Sequence, residues 1–364
     1  MTSMIYFRRA GVGAAPWLLA ALTVLSAAFP RRAIGEGAPV VAWDPSGSGL
    51  ALPANVWVAG DLSLEGGIPR DQPASFALDE FSLLARWDAT ARLALFGELR
   101  LGDQIIFTEG EGWDTSSLTV ALERLYAEAI LTPRLTLRVG KVFTPFGLWN
   151  VTNRGPFTWT VDGPAVVEGL FPIHATGLSL HHQTNWNGWS IDGVAYGPAQ
   201  DEPPLRPTNE RGWLVGGRVA AGRNLGSAFA SIGLNLASFR PRDRVPRRPV
   251  WSTATGVDLD LSVGGHSVTG ELAFRTAGGG RTAHGMYFQD AIPLDPWLPI
   301  LGNLHAVGRF EYFQAPRGAT ALGAVFGLFW RPWPHVVLRG DYTVVHHPNK
   351  ELPAGFHATI SLLF

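Results

Sequence analysis

Apolar and polar residues alternate with a period of two, in segments about ten residues long that recur roughly every twenty residues. Leu93, Leu95, Leu99 and Leu101 alternate with Arg92, Glu98 and Arg100. Val257, Leu259, Leu261 and Val263 alternate with Asp258, Asp260 and Ser262, and Phe356, Ala358, Ile360, Leu362 and Phe364 with His357, Thr359 and Ser361. Successive side chains of an extended strand point to opposite faces, so such a segment needs an apolar environment on one side and a polar one on the other. No run after residue 35 is apolar for the ~18 residues of a spanning helix, and no long segment has helical periodicity.

A water-soluble sandwich also has two unlike faces. Three features favour a transmembrane barrel instead. The segments have the length that crosses a bilayer at barrel tilt. Trp57, Trp87, Trp189, Trp213, Trp251, Trp330 and Tyr342 fall near segment ends, where an interfacial girdle forms. Only 16% of residues are charged, against about 25% in soluble domains, while 46% are hydrophobic.

Sixteen segments are read, near residues 55–65, 77–88, 91–101, 118–130, 135–142, 174–185, 189–197, 211–222, 227–239, 250–263, 267–275, 283–291, 303–313, 319–331, 335–346 and 355–364. Fourteen is the next choice, because 283–291 is the weakest segment. Short and long connections alternate, as periplasmic turns and outer loops do in such barrels. The proline-bearing connection 292–302 is long for a periplasmic turn. Parity switches within 118–130, where Leu118, Val120 and Leu122 share a face with Arg124 and Glu128; one extra residue near Glu123, a bulge, produces that switch.

At the N-terminus, Arg8 and Arg9 precede an apolar run from Ala14 to Phe29, and small residues follow. This order predicts a cleavable signal peptide over 1–35, cut after Ala28 or Gly35. Residues 36–54 then form a short periplasmic segment, too short for a folded plug, and 55–364 the barrel. The formal charge of -1 offers no field for nucleic acid. The absence of cysteine excludes thiolate metal sites and Cys nucleophiles, and no metal or other cofactor is expected.

The connection 143–173 carries Phe143, Phe146, Leu148, Trp149, Phe157, Trp159, Val166, Val167, Leu170 and Phe171. So apolar a loop cannot stand in water, and it is expected to fold inward and narrow the barrel.

The run Leu137-Arg138-Val139-Gly140-Lys141-Val142-Phe143-Thr144-Pro145-Phe146-Gly147, following Arg124-Leu125-Tyr126-Ala127-Glu128, resembles the phosphate-selective porin O and P family over some 40–50 residues. The resemblance implies a sixteen-stranded, often trimeric outer-membrane channel with an inward third loop. Phosphate channels of that family line the pore with lysine, whereas Lys141 and Lys350 are the only lysines among 29 basic residues here. The resemblance thus points to a porin for small hydrophilic solutes or ions, without phosphate specificity. The closing Phe364 is similar to the assembly signal that the barrel-assembly machinery reads in bacterial outer-membrane proteins.

Parity places Arg86, Arg92, Arg100, Arg124, Arg138, Arg218, Arg275, Arg309 and Arg339 on the lumen face. The acids there are Glu80, Glu98, Glu128, Asp258, Asp260, Glu271, Glu311 and Asp341. Of these, Arg92, Arg100, Arg124 and Arg138 lie on strands beside the long loop, and its acids Asp162 and Glu168 are expected to face them across the constriction. A structural network holding the barrel round is the competing role for the same charges. Arg240–Arg248 is a basic run in the fifth outer loop. A barrel enzyme or a hydrophobic-substrate transporter is the alternative class. No G-x-S-x-G motif is present, and Asp341 lies six residues, about 20 Å, from both His335 and His347 along the strand.

Overall fold

The computed structural model describes residues 49–70, 72–115, 119–152, 155–199, 213–240, 251–277, 280–315, 320–346 and 354–364. The expected signal peptide, most of segment 36–54 and residues 241–248 of the basic run lie outside the described residues.

Alternation becomes strand throughout: β1 (Leu50–Leu52), β2 (Val56–Pro69), β3 (Ser75–Thr90), β4 (Leu93–Thr108), β5 (Gly112–Asp114), β6 (Thr119–Thr132), β7 (Leu135–Phe143), β8 (His174–Trp186) and β9 (Trp189–Ala199). There follow β10 (Leu214–Leu225), β11 (Ala228–Phe239), β12 (Ser252–Val263), β13 (His266–Ala277), β14 (Arg281–Pro293), β15 (Leu304–Gln314), β16 (Thr320–Trp333), β17 (Val336–His346) and β18 (Gly355–Leu363). Two short helices, α1 (Trp149–Thr152) and α2 (Ala165–Leu170), lie in the long connection.

β1 folds back onto the start of β2, and β5 prolongs the β4 arm into a hairpin. The other sixteen strands pair antiparallel in sequence order, and β18 closes on β2, so the sheet is a sixteen-stranded barrel. The weak segment 283–291 is fully formed as β14. Much of the expected connection 102–117 is also strand, because Ile105 and Phe107 continue the outward apolar row and Phe107 packs on Trp113 at 5.2 Å.

Turns on one side are two residues long, as at Asn187-Gly188 and Gly226-Ser227, except for 294–303 between β14 and β15. In β6 the register passes from Glu98↔Arg124 to Leu99↔Leu122, leaving Glu123 as the bulged residue. Leu122 and Leu125 therefore both face outward, while Glu123 and Arg124 both turn into the lumen and are buried there.

The outer surface carries the apolar set, including Leu95, Leu99, Ile232, Leu234, Phe288, Phe326 and Ile360, all exposed. Exposed tryptophans mark the rims: Trp87, Trp186, Trp189, Trp297 and Trp333 on the short-turn side, Trp113, Trp213 and Trp251 on the loop side. Such a band and its girdles are what a bilayer requires of a barrel. The inner surface carries the charges, many buried, among them Glu98, Asp258, Glu271, Glu311, Arg339 and Asp341. Side chains alone do not fill a barrel of sixteen strands. Residues 144–152 and 155–173 occupy part of the remaining space.

Candidate functional site

The long connection leaves β7 and returns to β8 through a closed neck. Thr144 N–H donates to the Ile173 carbonyl at 2.8 Å, and the buried Asn150 Nδ2 donates to the Thr144 and Ile173 carbonyls at 2.7 and 3.1 Å. Beyond the neck, Phe146 packs at a tilt on Phe171, ring centres 4.3 Å apart, and Val166, Val167 and Leu170 are fully buried. Each such side chain gains about 1.5–3 kcal/mol by leaving water, which draws the segment inward.

Wall charges then hold the loop by its backbone. Glu271 on β13 accepts the N–H groups of Leu148 and Trp149 at 2.9 and 2.7 Å, at the start of α1, and the Tyr287 hydroxyl at 3.0 Å. Glu311 on β15 accepts Ala165 N–H at 2.8 Å, at the start of α2. A carboxylate at a helix start satisfies donors the helix cannot. Asn235 on β11 accepts Gly147 N–H at 2.9 Å and donates to Asp258, which Arg218 grips with two bonds of 3.0 and 2.6 Å. Asp341 accepts Val161 N–H. Arg339 donates to Thr158 Oγ1 and the Thr160 carbonyl at 2.7 and 2.8 Å; Arg309 donates to Thr160 Oγ1 and the Asp162 carbonyl. His357 on β18 pairs with Asp162 at 2.9 Å. The loop therefore lies along the wall from β11 to β18.

The wall from β3 to β8 keeps its charges for itself, in a ladder of ion pairs. Arg86 pairs with Asp88 at 2.8 Å and Glu128 at 3.5 Å, and Arg138 with Glu128 at 2.7 Å. Arg124 pairs with Glu98 and is sandwiched between Phe96 and Phe143 at 4.7 and 4.9 Å. Arg100 reaches Glu80 at 3.9 Å and Glu123 at 3.6 Å, and His174 at the loop's return bonds the same Glu123 at 2.7 Å. Arg100 and Arg138 stand above their acids: the Arg100 side chain is 46% exposed against 15% and 11% for Glu80 and Glu123, and Arg138 24% against 13% for Glu128, whereas at the Arg86–Asp88 pair the acid is the more open.

The expected constriction residues divide accordingly. Arg100 and Arg138 are open to the lumen. Arg124 is on the same wall but covered by its aromatic neighbours. Arg92 lies in the two-residue turn between β3 and β4, eight residues or about 26 Å along the strand from Arg100. Asp162 meets His357 and is electrostatically coupled to Glu65 on β2, as is Asp79 on β3. The Glu168 side chain lies outside the described residues. Glu123, His174, His357 and the loop threonines Thr158 and Thr160 were not among the expected site residues. The bulge at Glu123 is the one sequence signal that marks any of them.

No protein-family profile matches the sequence. A protein of Aquifex aeolicus, described as uncharacterized, is 21% identical over 355 residues, 81% of this chain and 77% of its own length. Solved structures of similar fold include OmpT, an outer membrane protein of Vibrio cholerae (11% identity, TM-score 0.56, 85% of this chain and 98% of that one). An anion-selective porin from Comamonas acidovorans superposes with TM-score 0.57 at 14% identity, over 85% of this chain and 99% of the porin. OmpF of Salmonella typhi, solved with daunomycin, superposes with TM-score 0.56 at 12% identity, over 85% and 98%. The fold is that of the bacterial outer-membrane porins.

Proposed function

We propose that the protein is a passive channel of the bacterial outer membrane for small hydrophilic solutes or ions, and not an enzyme. The observation that carries this reading is the division of the lumen: one side is filled by a loop tied down through its own backbone, and the other is faced by the exposed Arg100 with the half-buried Arg86 and Arg138. A channel so built offers water a path past guanidinium groups, and selectivity follows from the sign of the charge nearest the path. Exposed arginines over recessed carboxylates favour anions, and the likeness to an anion-selective porin supports that sign. The loop acid Asp162 supplies the negative side of a transverse field. With two lysines in the chain, the channel is assigned to anions in general and not to phosphate. The assembly assigned is a homotrimer; a trimer form is among the similar Vibrio cholerae structures.

The test is a planar bilayer holding the folded full chain. Discrete ion steps are expected, with a reversal potential in a salt gradient displaced toward the anion value. Arg100→Ala and Arg138→Ala each move it toward zero selectivity. Barrels that incorporate yet pass no current rule out the channel; an unmoved reversal potential rules out the arginines. Cleavage of lipid or peptide substrates by current-free barrels establishes the enzyme instead.

A further inference from the structure

The connection 294–303 is the exception among the short turns, and neither the lumen nor the channel uses it. Its conformation is well tied. Trp297 and Leu298 N–H groups donate to the Leu294 carbonyl, Leu301 N–H to Leu298, and Asp295 accepts Leu304 N–H at 3.4 Å. Where it lies follows from strand parity. Phe329 faces the lumen, where it meets the loop residue Trp159 at 4.8 Å, so the next residue, Trp330, faces lipid. Trp330 Nε1 donates to the Leu301 carbonyl at 3.0 Å. Leu304, paired across from Trp330 and pointing the same way, is only 8% exposed. The connection therefore folds back over the lipid-facing side of the barrel and shields two belt residues. In their place it presents Trp297, 68% exposed, and Ile300, 92% exposed, with Leu298 between them also exposed. Its sole charged residue is Asp295, engaged within the turn.

The geometry points to a membrane-surface anchor: residues 294–303 insert Trp297, Leu298 and Ile300 into the headgroup region of the periplasmic leaflet, the occupant being phospholipid. The patch is continuous with the apolar belt and sits at the rim where tryptophan is most at home. A second copy is the poorer occupant, because a stable contact takes about 800 Å² per partner and three side chains supply a fraction of that. The anchor pins one rim of the barrel to the interface and sets its depth there.

The chain has no cysteine, so Ile300→Cys, Trp297→Cys and, as a water-exposed reference, Ser227→Cys each give a single labelling site. Each full-length variant, shown to be folded by its heat-modifiable gel mobility, carries an environment-sensitive fluorophore in vesicles of phosphatidylethanolamine and phosphatidylglycerol. At 300 and 297 we expect blue-shifted emission, loss of most intensity to lipids brominated near the glycerol end, and protection from an aqueous quencher. At 227 the reverse is expected. A label at 300 as open to the aqueous quencher as that at 227 overturns the anchor. Protection that disappears when labelled protein is diluted with lipid also overturns it, in favour of contact between copies.

Discussion

Arg100 and Arg124 stand on adjacent strands, but their surroundings give them different work. Arg124 is nearly buried, with Glu98 on one side and two aromatic faces around it. Arg124→Ala strands a buried carboxylate, for a cost of about 3–5 kcal/mol. We therefore expect a clear drop in the denaturant midpoint of Arg124→Ala and little movement of its reversal potential once folded. Arg100→Ala should do the opposite, since an exposed pair contributes about 0–1 kcal/mol to stability. Equal stability losses in the two variants would refute the distinction. Strand parity in the sequence already put both residues on the lumen face. It carried no information on what else meets that face, because Phe143 arrives from another strand. The same limit applied to Glu271, Glu311, Arg309 and Arg339: alternation turned them inward, and only the path of the loop reveals that they hold its backbone.

The loop works as an element because its anchors are spread over many strands and act on backbone atoms. Gly147 is the hinge of that arrangement. Its φ is +72°, a left-handed value that L side chains rarely adopt, and a Cβ there would stand 1.9 Å from a Glu271 carboxylate oxygen. Gly147→Ala should push Glu271 away from the start of α1. We expect larger single-channel conductance, or flicker between two levels, with the barrel still folded. Glu271→Ala should reproduce it, since each buried N–H left without an acceptor costs about 1–3 kcal/mol. Conductance equal to wild type in both variants would show that the loop is held by its apolar packing alone. The inward course of this loop was legible because an apolar connection has nowhere else to go. Its two helices were not, being four and six residues long and held from outside by wall carboxylates. The strand pattern was legible for the complementary reason: lipid on one side and water on the other impose period two on every segment, β14 included. The far half of β4 was not legible as strand because Asp103 interrupts the apolar row between Leu101 and Ile105.

At the scale of the whole molecule, the barrel exists only if its last strand finds its first. The seam pairs β18 with β2 from Gly355↔Pro69 to Leu363↔Asp61, and its terminal rung is Gly60 N–H to the Phe364 carbonyl at 2.8 Å with Phe364 N–H returning at 3.0 Å. The Phe364 ring lies over Gly60 and faces Phe81 at 6.1 Å. A Cβ on Gly60 would fall 2.5 Å from that ring and 2.5 Å from the Ser82 carbonyl oxygen; the ring can swing aside, but the carbonyl is backbone. Gly60→Ala should therefore impair closure wherever the chain folds, lowering the folded fraction both in detergent refolding and in cells. Phe364→Ala leaves the backbone rung intact and removes an aromatic contact worth about 0.5–1.5 kcal/mol. If the terminal ring is also what the assembly machinery reads, Phe364→Ala should refold in detergent almost as the wild type does and still fail to accumulate in the outer membrane. Matching losses in both settings would reduce Phe364 to a packing residue. A Gly60→Ala protein that folds normally in detergent would show that the seam tolerates what its geometry forbids.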